Sequence, residues 1–168
     1  MSQNVNMVDL KKFDAADADL ALALIEGMFF GYRDFVGVAD ERLAEMGYGR
    51  AHHRVLHFVD RHPGLTVGEL LAILKVTKQG VSRVLKTLID DGLIEVRAGE
   101  FDRREKRLQT TPAGHDLARE VVRIQSGRIG SALAAAGPDA SRTVFAFLTG
   151  LVDDDDRPSV MKRIEGGR

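Results

Sequence analysis

The chain contains no cysteine, which excludes disulfides, thiolate metal sites, cysteine nucleophiles and thiol redox sensing together. It has no run of 18 apolar residues, so no stretch can cross a bilayer as a helix. Its N-terminal stretch is polar and acidic and lacks the apolar centre of a signal peptide. A soluble, cytoplasmic protein with no membrane partner is therefore expected. Charge of one sign is also missing: 24 Lys and Arg face 25 Asp and Glu, for a net charge of -1 and a pI of about 6.5. Without a wholly basic surface, any contact with nucleic acid has to come from a local patch. No glycine-rich phosphate loop follows a strand, and no nucleophile lies in a recognisable elbow. The expectation is a protein that is not an enzyme and needs no cofactor or metal.

What is present is a chain of 168 residues, 44% of them hydrophobic, which suits one domain or one domain with an attached dimerisation layer. From Asp17 to about Val38, Leu20, Leu24, Met28 and Phe35 follow helical spacing beside a second set, Ala21, Ile25, Phe29, Tyr32 and Val36. Leu22, Phe30 and Val38 widen this surface beyond one stripe. A helix apolar on nearly all sides is either central to a core or shared with a partner chain. EMGYG (Glu45–Gly49) breaks the pattern, and RAHHRVLHFVDRH predicts a second helix closed by His62-Pro63-Gly64.

Three short elements follow closely. TVGELLAIL opens with a capping box, in which Thr66 accepts from the amide of Glu69 and the carboxylate reaches back. After KVT comes KQGVSRVLKTLIDDG, with Thr77 as N-cap and Gly92 just past its end. Val81, Val84, Leu85, Leu88 and Ile89 make a buried stripe, and the other faces carry Lys78, Gln79, Ser82, Arg83 and Lys86. Two helices joined by so short a turn form a helix-turn-helix. LIEVR and KRLQT then predict two strands around a charged loop at 98–106. Thr111 caps a long helix that begins at Pro112 and runs to about Ala135, weakened by Gly127 and Gly130. A final helix is predicted from Asp139 to about Val152, with Val144, Phe145, Phe147, Leu148 and Leu151 apolar. The DDDD run and the Gly-ending tail are expected to be solvated and poorly ordered. The fold class is mostly α with a small β-hairpin wing: a winged helix-turn-helix between N- and C-terminal helices that form a dimerisation layer.

The residue types suit contact with double-stranded DNA, the second helix entering the major groove and the hairpin the adjoining minor groove. Gln79 and Ser82 can bond base edges or phosphates, Arg83 can grip a guanine bidentately, and Lys78 and Lys86 can neutralise phosphate. Between Lys75 and Arg107 lie nine Lys and Arg against six Asp and Glu, a local +3 that leaves -4 for the remainder. Taken alone, FDRREKR (Phe101–Arg107) reads as a solvated loop. Placed between two strands behind a helix-turn-helix, it reads as a wing whose Arg104 enters a narrow minor groove. Asp102, two residues before it, can orient that guanidinium through a forked ion pair.

The run LTVGELLAILKVTKQGVSRVLKTLIDDGLIEVRAGEFDRREKRLQTTPAG resembles the MarR family of bacterial transcription regulators. Asp102, Arg103, Arg104, Lys106, Leu108, Thr111, Pro112, Ala113 and Gly114 match that family's wing signature, and the resemblance is strong over about residues 50–118. Thr110 stands where the family usually has leucine, a change expected to thin the packing under the wing. The resemblance implies a homodimer with interlocked terminal helices, a pseudo-palindromic operator, and release of DNA by a small aromatic or anionic effector. Thr77, Lys78, Gln79, Ser82, Arg83, Lys86, Asp102, Arg103, Arg104 and Lys106 are the expected DNA-binding residues. The implied division is 1–48 for an N-terminal dimerisation region, 49–118 for the winged DNA-binding domain and 119–168 for C-terminal dimerisation helices and tail.

Other groupings carry less. His53 and His57 share a helical face with His52 beside them, but without cysteine or an acid on that face a metal site is not expected. They are expected to be packed, or to line an effector pocket with Phe29, Tyr32, Arg33 and Tyr48. The rival to a DNA-binding regulator is a winged-helix protein–protein interaction module without a DNA role. The basic outer face of the second helix argues against it.

Overall fold

The computed structural model describes residues 15–99 and 105–167. Its elements are α1 (Ala15–Ala44), α2 (Arg50–Arg61), β1 (Leu65–Thr66), α3 (Val67–Leu74), α4 (Lys78–Asp90), β2 (Ile94–Ala98), β3 (Lys106–Thr110), α5 (Pro112–Ala136), α6 (Ala140–Gly150) and α7 (Arg157–Gly166). The chain divides into two compact units, Met1–Gly37 and Val38–Arg168. In the first, the described residues are helical, and Leu20, Leu22, Leu24, Ile25, Met28, Phe29 and Phe30 are all exposed within the single chain. The all-round apolar helix read from the sequence is present, with most of its apolar side chains between Leu20 and Tyr32 uncovered and Val36 buried.

The second unit holds the core. Val55, Leu56 and Val59 of α2 pack with Leu70 and Leu74 of α3, Val81, Leu85 and Leu88 of α4, and Ile94 and Leu108 of the sheet. Leu117, Ala118 and Val121 of α5 close it. The starts of α3, α4 and α5 are each fixed by a threonine. The hydroxyl of Thr66 accepts from the Glu69 amide at 3.2 Å while Glu69 Oε2 accepts from the Thr66 amide at 2.8 Å. Thr77 accepts from the Gly80 amide at 3.3 Å and Thr111 from the Gly114 amide at 3.1 Å. These caps satisfy amides that have no partner within the helix.

The sheet is antiparallel in the order β1-β3-β2. Ile94 pairs with Thr110, Val96 with Leu108 and Ala98 with Lys106, so the predicted hairpin forms in one register. The third strand, β1, has only two residues, Leu65 opposite Leu108 and Thr66 opposite Arg107. Two residues carry no alternation, so sequence periodicity could not show it. Thr110 keeps the space under the wing in use: its hydroxyl donates to Asp60 Oδ1 at 3.0 Å.

Two further differences have physical causes. α1 continues six residues past Val38 because Ala39 and Leu43, one turn apart, are fully buried. The intervening charges, which hid this continuation, are partnered: Arg42 forks onto Glu120 at 2.6 and 3.1 Å, and Asp40 accepts from Arg50 at 2.8 Å. The tail expected to be poorly ordered instead forms α7. Arg157 ties its start to the end of α6, donating to the carbonyls of Thr149 at 3.1 Å and Val152 at 2.8 Å. Three acids of the run are also paired, since Lys75 bridges to Asp153 at 3.5 Å and to Asp156, and Arg157 bridges to Asp154 at 2.7 Å.

Candidate nucleic-acid interface

The second helix of the helix-turn-helix, α4, is amphipathic in the way a groove-reading helix requires. Val81, Leu85 and Leu88 are buried on one side. Thr77, Lys78, Gln79, Ser82, Arg83 and Lys86 are all exposed on the rest. The turn before it is tight because Lys75 adopts the left-handed conformation at φ 50°, a cost a non-glycine residue rarely meets. Arg54 of α2 steadies that turn from below, donating to the Leu74 carbonyl at 3.1 Å. Sequence periodicity did not single out this arginine, because an orphan helix-end carbonyl is visible only in three dimensions.

The six exposed residues differ in how far they are already engaged. Thr77 is occupied as the cap, and Ser82 Oγ donates to the Lys78 carbonyl at 2.7 Å. Lys86 is paired with Asp90 one turn on. An exposed pair of this kind is worth little and exchanges readily for phosphate. Lys78, Gln79 and Arg83 form no side-chain hydrogen bond or ion pair among the described residues, which leaves their donors to an incoming ligand.

The wing is rooted by several contacts. Gly92, in the left-handed conformation at φ 70°, turns the chain out of α4, and its carbonyl accepts from Thr111 Oγ1 at 2.6 Å. The Thr111 amide donates to the Leu93 carbonyl at 3.1 Å. Gly114 lies so close to that carbonyl that a Cβ there would sit 1.9 Å from its oxygen. Across the root, Asp60 of α2 accepts from Thr110 and meets His115 Nδ1 at 2.8 Å, joining α2, β3 and α5. Further out, Gly99 donates to the Glu105 carbonyl at 2.9 Å, so pairing continues to the edge of the loop. Lys106 is exposed there. Arg107 is committed elsewhere: it donates to the Gly64 carbonyl at 3.0 Å and pairs with Glu105 at 2.6 Å. Of the positive charges counted in this segment, it is one that braces the wing. Asp102, Arg103 and Arg104 lie outside the described residues.

The residues proposed for an effector pocket fall in both units. In the first, Phe29 and Tyr32 are exposed, Phe29 meets Phe30 edge-on at 5.2 Å, and Arg33 lies 5.0 Å over Phe30. Arg33 also pairs with Asp34 at 2.7 Å. In the second, Tyr48 is buried and donates to Asp91 Oδ2 at 2.8 Å. Burial and that carboxylate push its phenol up to about 12, so it stays a neutral donor. His53 and His57 have rings 6.2 Å apart and both are held below the ordinary imidazole value, chiefly by burial. His52 is spent on the start of α2, where its Nδ1 accepts from the Gly49 amide at 3.1 Å. Among the described residues no group of three His, Cys, Asp or Glu could hold a metal ion, and no helix is long and apolar enough to cross a membrane.

Known proteins share this arrangement. The sequence model of the MarR family matches residues 46–105. The HTH-type transcriptional regulator PetP of Rhodobacter capsulatus is 49% identical over 129 residues, 77% of this chain and 78% of PetP. Among solved structures, FabT of Streptococcus pneumoniae, determined in complex with DNA, has a TM-score of 0.68 at 19% identity, covering 78% of this chain and 94% of FabT. A MarR-family regulator from Silicibacter pomeroyi has a TM-score of 0.62 at 20% identity, covering 76% of this chain and 84% of its own. At these identities the structural likeness concerns the winged helix-turn-helix fold.

Proposed function

Since the chain belongs to the MarR family of transcription regulators, we propose that it binds double-stranded DNA as a homodimer on a pseudo-palindromic operator and acts as a ligand-responsive repressor. The observation that carries this reading is the outer face of α4, exposed along its length with Lys78, Gln79 and Arg83 uncommitted. Arg83 and Gln79 read base edges in the major groove, while Lys78 and Lys86 contact phosphate. Arg104, oriented by Asp102, enters the flanking minor groove, with Arg103 and Lys106 on the backbone. The dimer uses residues 1–48 and 119–168. Its support is the exposed apolar surface of α1 together with Phe145, Phe147, Leu148 and Leu151, more than a lone chain of this size leaves to water.

Selection from random duplexes at two salt concentrations tests the reading. Recovered sites should contain two inverted half-sites about one helical turn apart, or a multiple of that spacing. Affinity should fall steeply as salt rises. Recovery of no preferred sequence, with no salt-dependent retention, would instead support the protein–protein interaction module.

A further inference from the structure

We propose that Tyr48 is a positioning residue for DNA reading, a strut that holds the end of the recognition helix α4 to the end of α1. The assignment rests on the reading of the chain as a DNA-binding regulator, and it gives Tyr48 a role within the reader rather than in an effector pocket.

The tyrosine is fixed first at its backbone. α1 ends in a Schellman motif: Gly47, left-handed at φ 80°, donates to the Ala44 carbonyl at 3.0 Å, and Tyr48 donates to the Leu43 carbonyl at 3.0 Å. Such a motif brings the residue after the glycine against the last apolar turn of its helix. Tyr48 and Leu43 are accordingly buried in the same core. The neighbouring stretch is anchored as well, since Arg42 forks onto Glu120 of α5 and Asp40 accepts from Arg50 at the start of α2. The ring of His52, itself held by the Gly49 amide, lies 5.2 Å from the phenol ring. A ring packed in this way reaches its hydrogen bond with little rotamer freedom left to lose.

At the other end stands Asp91, the C-cap of α4. A carboxylate there faces the negative end of the helix dipole, which disfavours it. Asp91 enters no ion pair among the described residues, and its Oδ2 accepts from the Tyr48 hydroxyl at 2.8 Å. Because the phenol is pushed up to about 12, chiefly by burial, this donor persists across the neutral range.

α4 is therefore held at both ends by side chains from outside it. Arg54 fixes the Leu74 carbonyl before its start, and Tyr48 fixes its C-cap. Gln79 and Arg83 lie between these points on the exposed face. Bidentate bonds to base edges need those side chains in register, whereas phosphate tolerates a displaced charge. Loss of the strut should weaken operator recognition and spare non-specific binding.

Titration of the full chain against the operator recovered by selection, and against a random duplex of equal length, tests the strut. Tyr48→Phe keeps the packed ring and removes the hydroxyl. It should lose about threefold to tenfold on the operator, with the random duplex and the salt slope unchanged. Asp91 is exposed, so its variants break the same bond without disturbing the ring. Asp91→Asn and Asp91→Ala remove the same charge, and only the asparagine keeps an acceptor. Tyr48→Phe should cost a similar factor in the Asp91→Asn background and nothing in the Asp91→Ala background. Thermal melts set the titration temperature below every unfolding transition. Full operator affinity in Tyr48→Phe overturns the strut alone, as does an equal loss on both duplexes or an equal cost in both Asp91 backgrounds. Failure of selection to yield any preferred duplex overturns the regulator reading, and the strut with it.

Discussion

Arg83 and Lys86 stand three residues apart on α4, yet their surroundings give them different work. Lys86 is paired with Asp90 and offers a point charge, while Arg83 offers an uncommitted planar fork. Arg83→Ala should cost about 1–3 kcal/mol on the true operator and relax base preference at one position. Lys86→Ala should weaken all sequences alike and lower the salt slope by about one unit. Quantitative binding-site selection with both variants separates these outcomes, and equal loss of specificity from both would contradict the assignment. In the wing, Arg104→Ala should flatten the dependence of affinity on flanking A·T content. If the variant keeps the full flank preference in titrations against A·T-rich and G·C-rich flanks, the wing acts only as a phosphate clamp. Exposure of the α4 polar face was legible in the sequence because one periodicity sets both faces. The inward commitment of Arg107 was not. A run of charges does not reveal which member finds a carbonyl 43 residues upstream.

At the scale of elements, the helix-turn-helix was legible because caps, turn and buried stripe agreed on the same boundaries. The ends of the chain were less so, since their order comes from distant partners. α1 gains its last turn from Leu43 in the core and Glu120 on α5, and α7 gains its start from carbonyls at the end of α6. The exposed apolar residues of α1 and α6 lead to a prediction about assembly. The double variant Leu24→Glu/Phe147→Glu should be monomeric or insoluble, while the wild type sediments as a dimer at micromolar concentration. A monomeric wild type would remove the dimer and the operator geometry with it. The wing root gives another. Gly114→Ala should destabilise the fold by about 1–3 kcal/mol or more, because the added carbon meets a backbone oxygen that cannot move alone. Denaturant unfolding reads this directly, and a midpoint unchanged from wild type would show that the start of α5 can slide away from Leu93.

For the whole molecule, the partly buried histidines and the hydrogen-bonded or ion-paired carboxylates act in the same direction. His53, His57 and His62 are held below 6.5, chiefly by burial. The unfolded chain therefore takes up protons first as the pH falls through about 6.5, and stability declines from there. Glu69, held down by hydrogen bonds from Thr66, and Glu120, held down by Arg42, contribute stability above their unfolded values that is lost as pH falls through their lower folded values. Thermal midpoints measured between about pH 8 and about pH 4 should thus fall in two stages, and His53→Gln/His57→Gln should flatten the first. A level wild-type midpoint across the first stage would show that these rings titrate as in water. The joint between Gly92, Leu93, Thr111 and Gly114 matters at this scale too. It leaves no slack between the end of the recognition helix, the base of the wing and the first turn of α5. These parts form a crank: a twist applied along α5 is expected to pass to the end of α4 rather than be absorbed at the joint. Compliance has to come from further along the same shaft, where Gly127 and Gly130 have open space around them. A change in the setting of α4 is therefore expected to originate around Gly127, more than three turns along α5 from Gly114 of the joint.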